Sequence, residues 1–169
     1  TLQKDGSSGT GIVAVRIGTA DAAVNMTSIS SSGAASTTFT VFEDTTFTGT
    51  LAATTSVATG QTLTLAAAKA TGKTITGASG GSGSVIVTAL DQTLDAVLDN
   101  ITADTGNGGS VTGTFLTSGE FTGSFGAAGM TVTISDGATM TVAANKVDGS
   151  TGPTLQKDGS SGTGIVAVR

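Results

Sequence analysis

Residues 1–16 (TLQKDGSSGTGIVAVR) recur letter for letter as residues 154–169, at an offset of 153 residues. Packing constrains a core and leaves the surface free to drift. Identity that extends to Lys4, Asp5 and Arg16 therefore marks a recent duplication and an array of near-identical units. A chain built this way is expected to bury its apolar surface against its own neighbouring copies. It begins within a repeat, so its ends are expected to be cuts in something longer.

A second, older repeat lies inside the first. Thr46-Phe47-Thr48-Gly49-Thr50-Leu51 resembles Glu120-Phe121-Thr122-Gly123-Ser124-Phe125. TLTLAAAK at 62–69 resembles TMTVAANK at 139–146, and a glycine follows each lysine three residues on, at Gly72 and Gly149. Gly83-Ser84-Val85-Ile86-Val87 resembles Gly11-Ile12-Val13-Ala14-Val15. The matches keep one order around a half-unit of roughly 76 residues. The expected organisation is the end of a preceding half-repeat at 1–36, half-repeat A at 37–110, and the start of half-repeat B at 111–169.

Local periodicity is two. Thr62-Leu63-Thr64-Leu65 puts both leucines on one face and both threonines on the other, and Thr131-Val132-Thr133-Ile134 does the same. Thr, Val and Ile suit a pleated surface because branching at Cβ is tolerated there. Asp136-Gly137, Gly80-Gly81, Asn107-Gly108 and Ser118-Gly119 mark turns between them. The fold class expected is all-β. Its expected architecture is a β-solenoid repeat, parallel β-helix-like, with tandem β-sandwich beads as the alternative. A half-unit is small for a sandwich of about 100 residues, which favours the solenoid. At about 20–25 residues per rung and about 4.8 Å between strands, one unit would rise on the order of 30 Å. Leu90, Leu94, Val97, Leu98 and Ile101 are spaced for an amphipathic helix, with Asp91, Asp95 and Asp99 on another face, and a short helix or a curved corner is expected there. Ala66-Ala67-Ala68-Lys69 reads as a single helical turn closing a strand. The six phenylalanines fall in matching portions of the halves and read as a stacked core ladder.

Composition narrows the function. A net charge of -5 with no Lys/Arg cluster disfavours nucleic acid as a partner. The chain has no cysteine or histidine, so zinc, haem and iron–sulfur sites lose their usual ligands. No apolar run approaches the roughly 20 residues of a membrane helix, so no membrane span is expected.

The stretches TLTLAAAKATGKTITG (62–77), GSVIVTALDQTLDAVLDNITADTG (83–106) and FTGSFGAAGMTVTISDGATMTVAANK (121–146) resemble the Thr/Gly/Ala-rich β-strand repeats of giant bacterial surface proteins, repetitive adhesins and S-layer-type proteins. The resemblance implies export, an extracellular or cell-surface location, and a structural or adhesive role. The sequence lacks the GGxGxDxxx run of calcium-binding nonapeptide repeats, so that family's sites do not carry over.

No catalytic site is expected, because a serine nucleophile would find no histidine base and nothing places a lysine dyad. Asp91, Asp95, Asp99 and the Glu43-Asp44 pair read as a solvated acidic edge. Calcium is the one candidate cofactor. Asp99 and Asp104, with Asn100 and Asn107 beside a Gly-rich loop, are its candidate ligands. The Thr-x-Thr pairs 62/64, 74/76, 131/133 and 139/141 raise a hydroxyl array as a binding face for ice, polysaccharide or mineral. The expected partners are neighbouring copies of the repeat, in the same chain or in a fibre. The two sixteen-residue copies are expected to share a conformation and to be related mainly by translation.

Overall fold

The computed structural model describes residues 2–3, 12–29, 31–32, 36–125, 129–148, 152–159 and 161–169. Gly149 lies outside these residues, as do Lys4 and Asp5. Where apolar and polar residues alternate, the chain runs as strand. Thr62–Ala66 buries Leu63 and Leu65, Met130–Ile134 buries Met130, Val132 and Ile134, and Thr139–Val142 buries Met140 and Val142. The intervening threonines stay half exposed. Each strand is too short to bury much alone, so its stability must come from neighbours above and below.

The strands form three main sheets. The first holds Ile12–Ile17, Ser36–Val41, Thr54–Val57, Thr74–Gly77 and Ile101–Thr102. The second holds Thr45–Phe47, Thr62–Ala66, Ser84–Thr88, Val111–Phe115, Met130–Ile134 and Thr154–Lys157. The third holds Gly119–Phe121, Thr139–Val142 and Ile165–Val168, and Leu2–Gln3 pairs with Ser31–Ser32 separately. In every sheet the neighbours run in sequence order. The chain leaves a sheet, visits others, and returns beside its previous strand. Paired residues lie from 16 apart (Thr40 beside Ser56) to 29 apart (Leu2 beside Ser31).

Every pairing among the described strands is parallel. The fold is therefore all-β with parallel sheets, in keeping with a parallel β-helix-like arrangement. This overturns the sandwich-bead alternative, because a sandwich is built from antiparallel hairpins.

In-register stacking makes columns of like residues. In the second sheet Phe47 faces Leu65, Leu65 faces Val87, Val87 faces Gly113, and Gly113 faces Val132. In the first, Ile17, Val41 and Val57 align. These columns point inward and form one continuous core. Five phenylalanines are in it: Phe39, Phe47, Phe115, Phe121 and Phe125. Phe42 is only half buried, and the Arg16 guanidinium lies 4.1 Å from its ring centre.

Of the two options open for Leu90 to Ile101, the chain does not take the helix. It makes one 3-10 turn, Leu90–Gln92, and then runs irregularly into the strand Ile101–Thr102. Leu90, Leu98 and Ile101 are buried, while Val97 is 44% exposed. The helical spacing arises because apolar residues at two successive corners of the path happen to lie three and four apart. Translation alone does not relate the two sixteen-residue copies. Ile12–Ile17 belongs to the first sheet and Ile165–Val168 to the third, although both are parallel strands. The single helical turn is present, at Ala67–Ala70.

Two threonines, Thr45 and Thr55, take buried inward positions, and the Thr45 hydroxyl donates to Glu43 O. Thr55 is fully buried beside Ile75, and its hydroxyl has no hydrogen-bond partner. Its counterpart in the other half-repeat is Val132. Thr55→Val keeps the shape and removes the unsatisfied hydroxyl. It is expected to stabilise the chain by about 1 kcal/mol and raise Tm by about 2–4 °C. A lower Tm in calorimetry would mean that the hydroxyl has a partner, such as a buried water.

Candidate functional site

The Phe-Thr-Gly motif shared by the two half-repeats, followed by Thr or Ser, forms a corner that stacks on the preceding pass of the chain. Thr48 and Gly49 both donate their N–H to the Ala22 carbonyl, at 2.8 and 2.9 Å, and Thr50 N–H donates to Val24 O at 3.2 Å. In the other half, Thr122 and Gly123 donate to Leu94 O at 2.7 and 3.0 Å, and Ser124 to Ala96 O at 2.9 Å. The next corner residue reciprocates in each case: Met26 N–H donates to Thr50 O, and Leu98 N–H to Ser124 O. The threonine hydroxyls repeat the match, Thr48 on Ala22 O and Thr122 on Leu94 O, both at 3.3 Å. Glycine is required because the two passes touch. A Cβ at Gly49 would lie 2.7 Å from the Ala23 carbonyl carbon and closer still to Val24 O. At Gly123 it would lie 2.7 Å from Ala96 N and closer still to Ala96 O.

Carboxylates join passes in a second way. Asp44 accepts from Thr62 N–H at 2.7 Å, Asp136 from Thr163 N–H at 2.7 Å, and Glu43 from Thr19 N–H at 3.0 Å. Asp91 takes Leu116 N–H at 3.1 Å and the Thr117 hydroxyl at 2.7 Å. Each satisfies a backbone donor at or beside the end of a strand or turn, where the ladder does not reach it. Asp91, half buried, thus caps the following pass. Asp44 caps the following pass and Glu43 the preceding one, while both stay on the exposed acidic edge expected of them. Sequence reasoning missed this role. The available signal is the acid placed directly beside a turn or strand start, as in Glu43-Asp44 and Ser135-Asp136-Gly137.

The calcium candidates are engaged in the same way. Asp104 accepts from Gly80 N–H at 2.7 Å and from the Asn107 side chain at 3.0 Å. Asp99 accepts from the Ser124 hydroxyl at 2.9 Å. Among the described residues no three acidic side chains gather as a metal-binding group. The hydrogen bond from Gly80, followed by that from Asn107, holds the Asp104 carboxyl below its ordinary value of 3.8. A depressed folded-state pKa contributes stability above the unfolded value, and that stability is lost as pH falls through the folded one. Asp104→Asn is therefore expected to melt below the parent at neutral pH. The gap should close as pH drops below 3.8. Parallel melting curves at all pH values would sink this assignment. Melting that is unchanged by a chelator would likewise remove calcium from the candidate pair.

The outward columns differ in kind. In the second sheet Thr46, Thr64, Ile86, Thr112, Thr131 and Thr154 align, and beside them Thr114, Thr133 and Gln156. In the first, Arg16, Thr40, Ser56, Thr76 and Thr102 align, with Thr54 beside Thr74. Of the four expected pairs, 62/64 and 131/133 share the second sheet, 74/76 lies in the first, and 139/141 in the third. The hydroxyls repeat at about 4.8 Å across strands and about 6.6 Å along them. A cavity of about 90 Å³ lined by Ile101, Val111 and Met130 is far below the roughly 300–1,000 Å³ of small-molecule sites.

No family model, curated protein or solved structure matches the chain in comparison.

Proposed function

We propose that the chain is the repeating unit of a β-solenoid rod with a structural role in an extracellular bacterial fibre, filament or surface layer. The observation that carries this reading is the placement of the described contacts. Parallel ladders, Phe-Thr-Gly corners and carboxylate caps all join one pass of the chain to the next. Such a molecule is held along its axis by nearest-neighbour contacts and can lengthen by adding units. Its mechanism is mechanical. Load along the axis is shared by all the ladders, and each unit covers the strand edges of the one before it.

Two measurements test the proposal. Chains of two, three and four units should appear in electron micrographs as unbroken rods that lengthen by about 30 Å per unit. Beads on flexible strings would overturn the rod. Antibodies to the repeat should label intact cells of the source, and labelling only after permeabilisation would overturn the surface role.

The threonine columns favour a second reading, an adhesin module whose hydroxyl array binds ice or a repeating polysaccharide. Threonine also suits any solvent-facing pleat, so the columns serve the first reading equally well. Thermal hysteresis and inhibition of ice recrystallisation by the purified repeat would establish ice binding. Their absence would remove ice.

A further inference from the structure

The structure assigns a seam: Ile165–Val168, which stands for the Ile12–Val15 of a following copy, seats on Thr139–Val142 and carries that copy's Ser36–Val41 in fixed register, and the following copy is turned by two of the three sheets about the long axis. This rests on the rod proposed above. It follows from the chain holding both sides of the same joint. Ile165–Val168 is a copy of 12–15. Below it, Thr139 pairs with Ile165, Met140 with Val166, Thr141 with Ala167 and Val142 with Val168. At the other end of the chain, Ile12 pairs with Ser36, Val13 with Thr37, Ala14 with Thr38 and Val15 with Phe39. Superposing the identical residues sets three strands in order: 139–142, then 165–168, then the next copy's 36–39.

The surfaces agree with this occupant. Val168 points inward on the Phe121 and Val142 column, yet is 56% exposed. Its duplicate Val15 lies beside Phe39, which is 9% exposed. The next copy's Phe39 would cover Val168 in the same way.

The turn follows from the sheet assignments. Thr54–Val57 lies in the first sheet and its half-repeat counterpart Met130–Ile134 in the second. Thr45–Phe47 and Thr62–Ala66 lie in the second sheet, and their counterparts Gly119–Phe121 and Thr139–Val142 in the third. Each half-unit moves equivalent residues one sheet onward. A whole unit moves them two, as Ile12–Ile17 and Ile165–Val168 show directly. With three sheets around the axis, equivalent residues return to the same side only after three units. A feature carried once per unit is thus displayed all around the rod and not along one edge.

The chain has no cysteine, so engineered pairs report the seam alone. In a two-unit chain of period 153, where residue 165 is Ile12 of the following copy, Thr139→Cys with Ile165→Cys spans the joint and places outward side chains opposite each other, about 4.8 Å apart between Cα atoms, within disulfide reach. Mild oxidation should link this pair and not Thr139→Cys with Ala167→Cys. Linking of the offset pair, or of neither, would overturn the register. For the turn, Ser56→Cys in every unit of a four-unit chain should carry gold labels at three azimuths, with the first and fourth aligned. Labels all on one side would overturn it. Neither result depends on where the protein resides in the cell.

Discussion

Phe121→Ala is expected to destabilise the chain by about 3–5 kcal/mol, the range for emptying a phenylalanine site in a packed core. Phe121 is 1% exposed and stands at the start of the third sheet, with Val142 and then Val168 above it. Its ring stacks on Phe125 with centroids 4.3 Å apart and planes 19° from parallel. An aromatic pair is worth about 0.5–1.5 kcal/mol beyond its buried area. The counterpart Phe47 is equally buried, but Leu51 occupies the place of Phe125. Phe47→Ala should therefore cost less than Phe121→Ala. Denaturant melts check both. A loss under about 1 kcal/mol at Phe121 would remove it from the core.

The denaturation slope carries further information. In a molecule held by nearest-neighbour contacts, a weak site can uncouple the passes beyond it. Phe121→Ala would then lower the slope as well as the midpoint, because part of the chain has already opened before the main transition. An unchanged slope would mean that the described passes unfold as one body.

Strand positions and the inward or outward facing of each residue were legible, because a period of two is written locally. Leu63, Leu65, Val132 and Ile134 point inward as alternation requires. Which strand pairs with which was not legible from periodicity, since partners lie 16 to 29 residues apart and loop length sets the offset. The internal repeat carried more. The Phe-Thr-Gly match marked equivalent points of the two half-repeats, although the corner they form and its hydrogen bonds to Ala22 and Leu94 have no local trace. Leu90 to Ile101 left helix and corner both open, because the spacing of its apolar residues suits either. The roles of Asp44, Asp91 and Asp136 were hidden for a different reason. A carboxylate that caps a distant N–H looks the same in sequence as one facing solvent.

Gly123→Val is expected to cost about 3 kcal/mol or more, at the upper end of overpacking. A surface glycine in an extended segment would ordinarily accept valine for well under that, since valine suits a pleat. Here the obstacle is backbone. The added Cβ would meet the Ala96 amide nitrogen at 2.7 Å and the Asp95 carbonyl carbon at 2.8 Å. No side chain is available to swing aside, so the passes at 94–98 and 122–124 must separate. Separation takes with it the bonds from Thr122 and Gly123 to Leu94 O, from Ser124 to Ala96 O, and from Leu98 to Ser124 O. Gly123→Ala already introduces that Cβ and should do most of the damage, with valine adding little. Gly49→Ala should repeat the effect in the other half-repeat, where the obstruction is the backbone of Ala23 and Val24. Chemical denaturation of the three variants discriminates. Parent-like stability for Gly123→Ala would mean that the passes do not meet at this corner, and the Phe-Thr-Gly repeat would then need another physical cause.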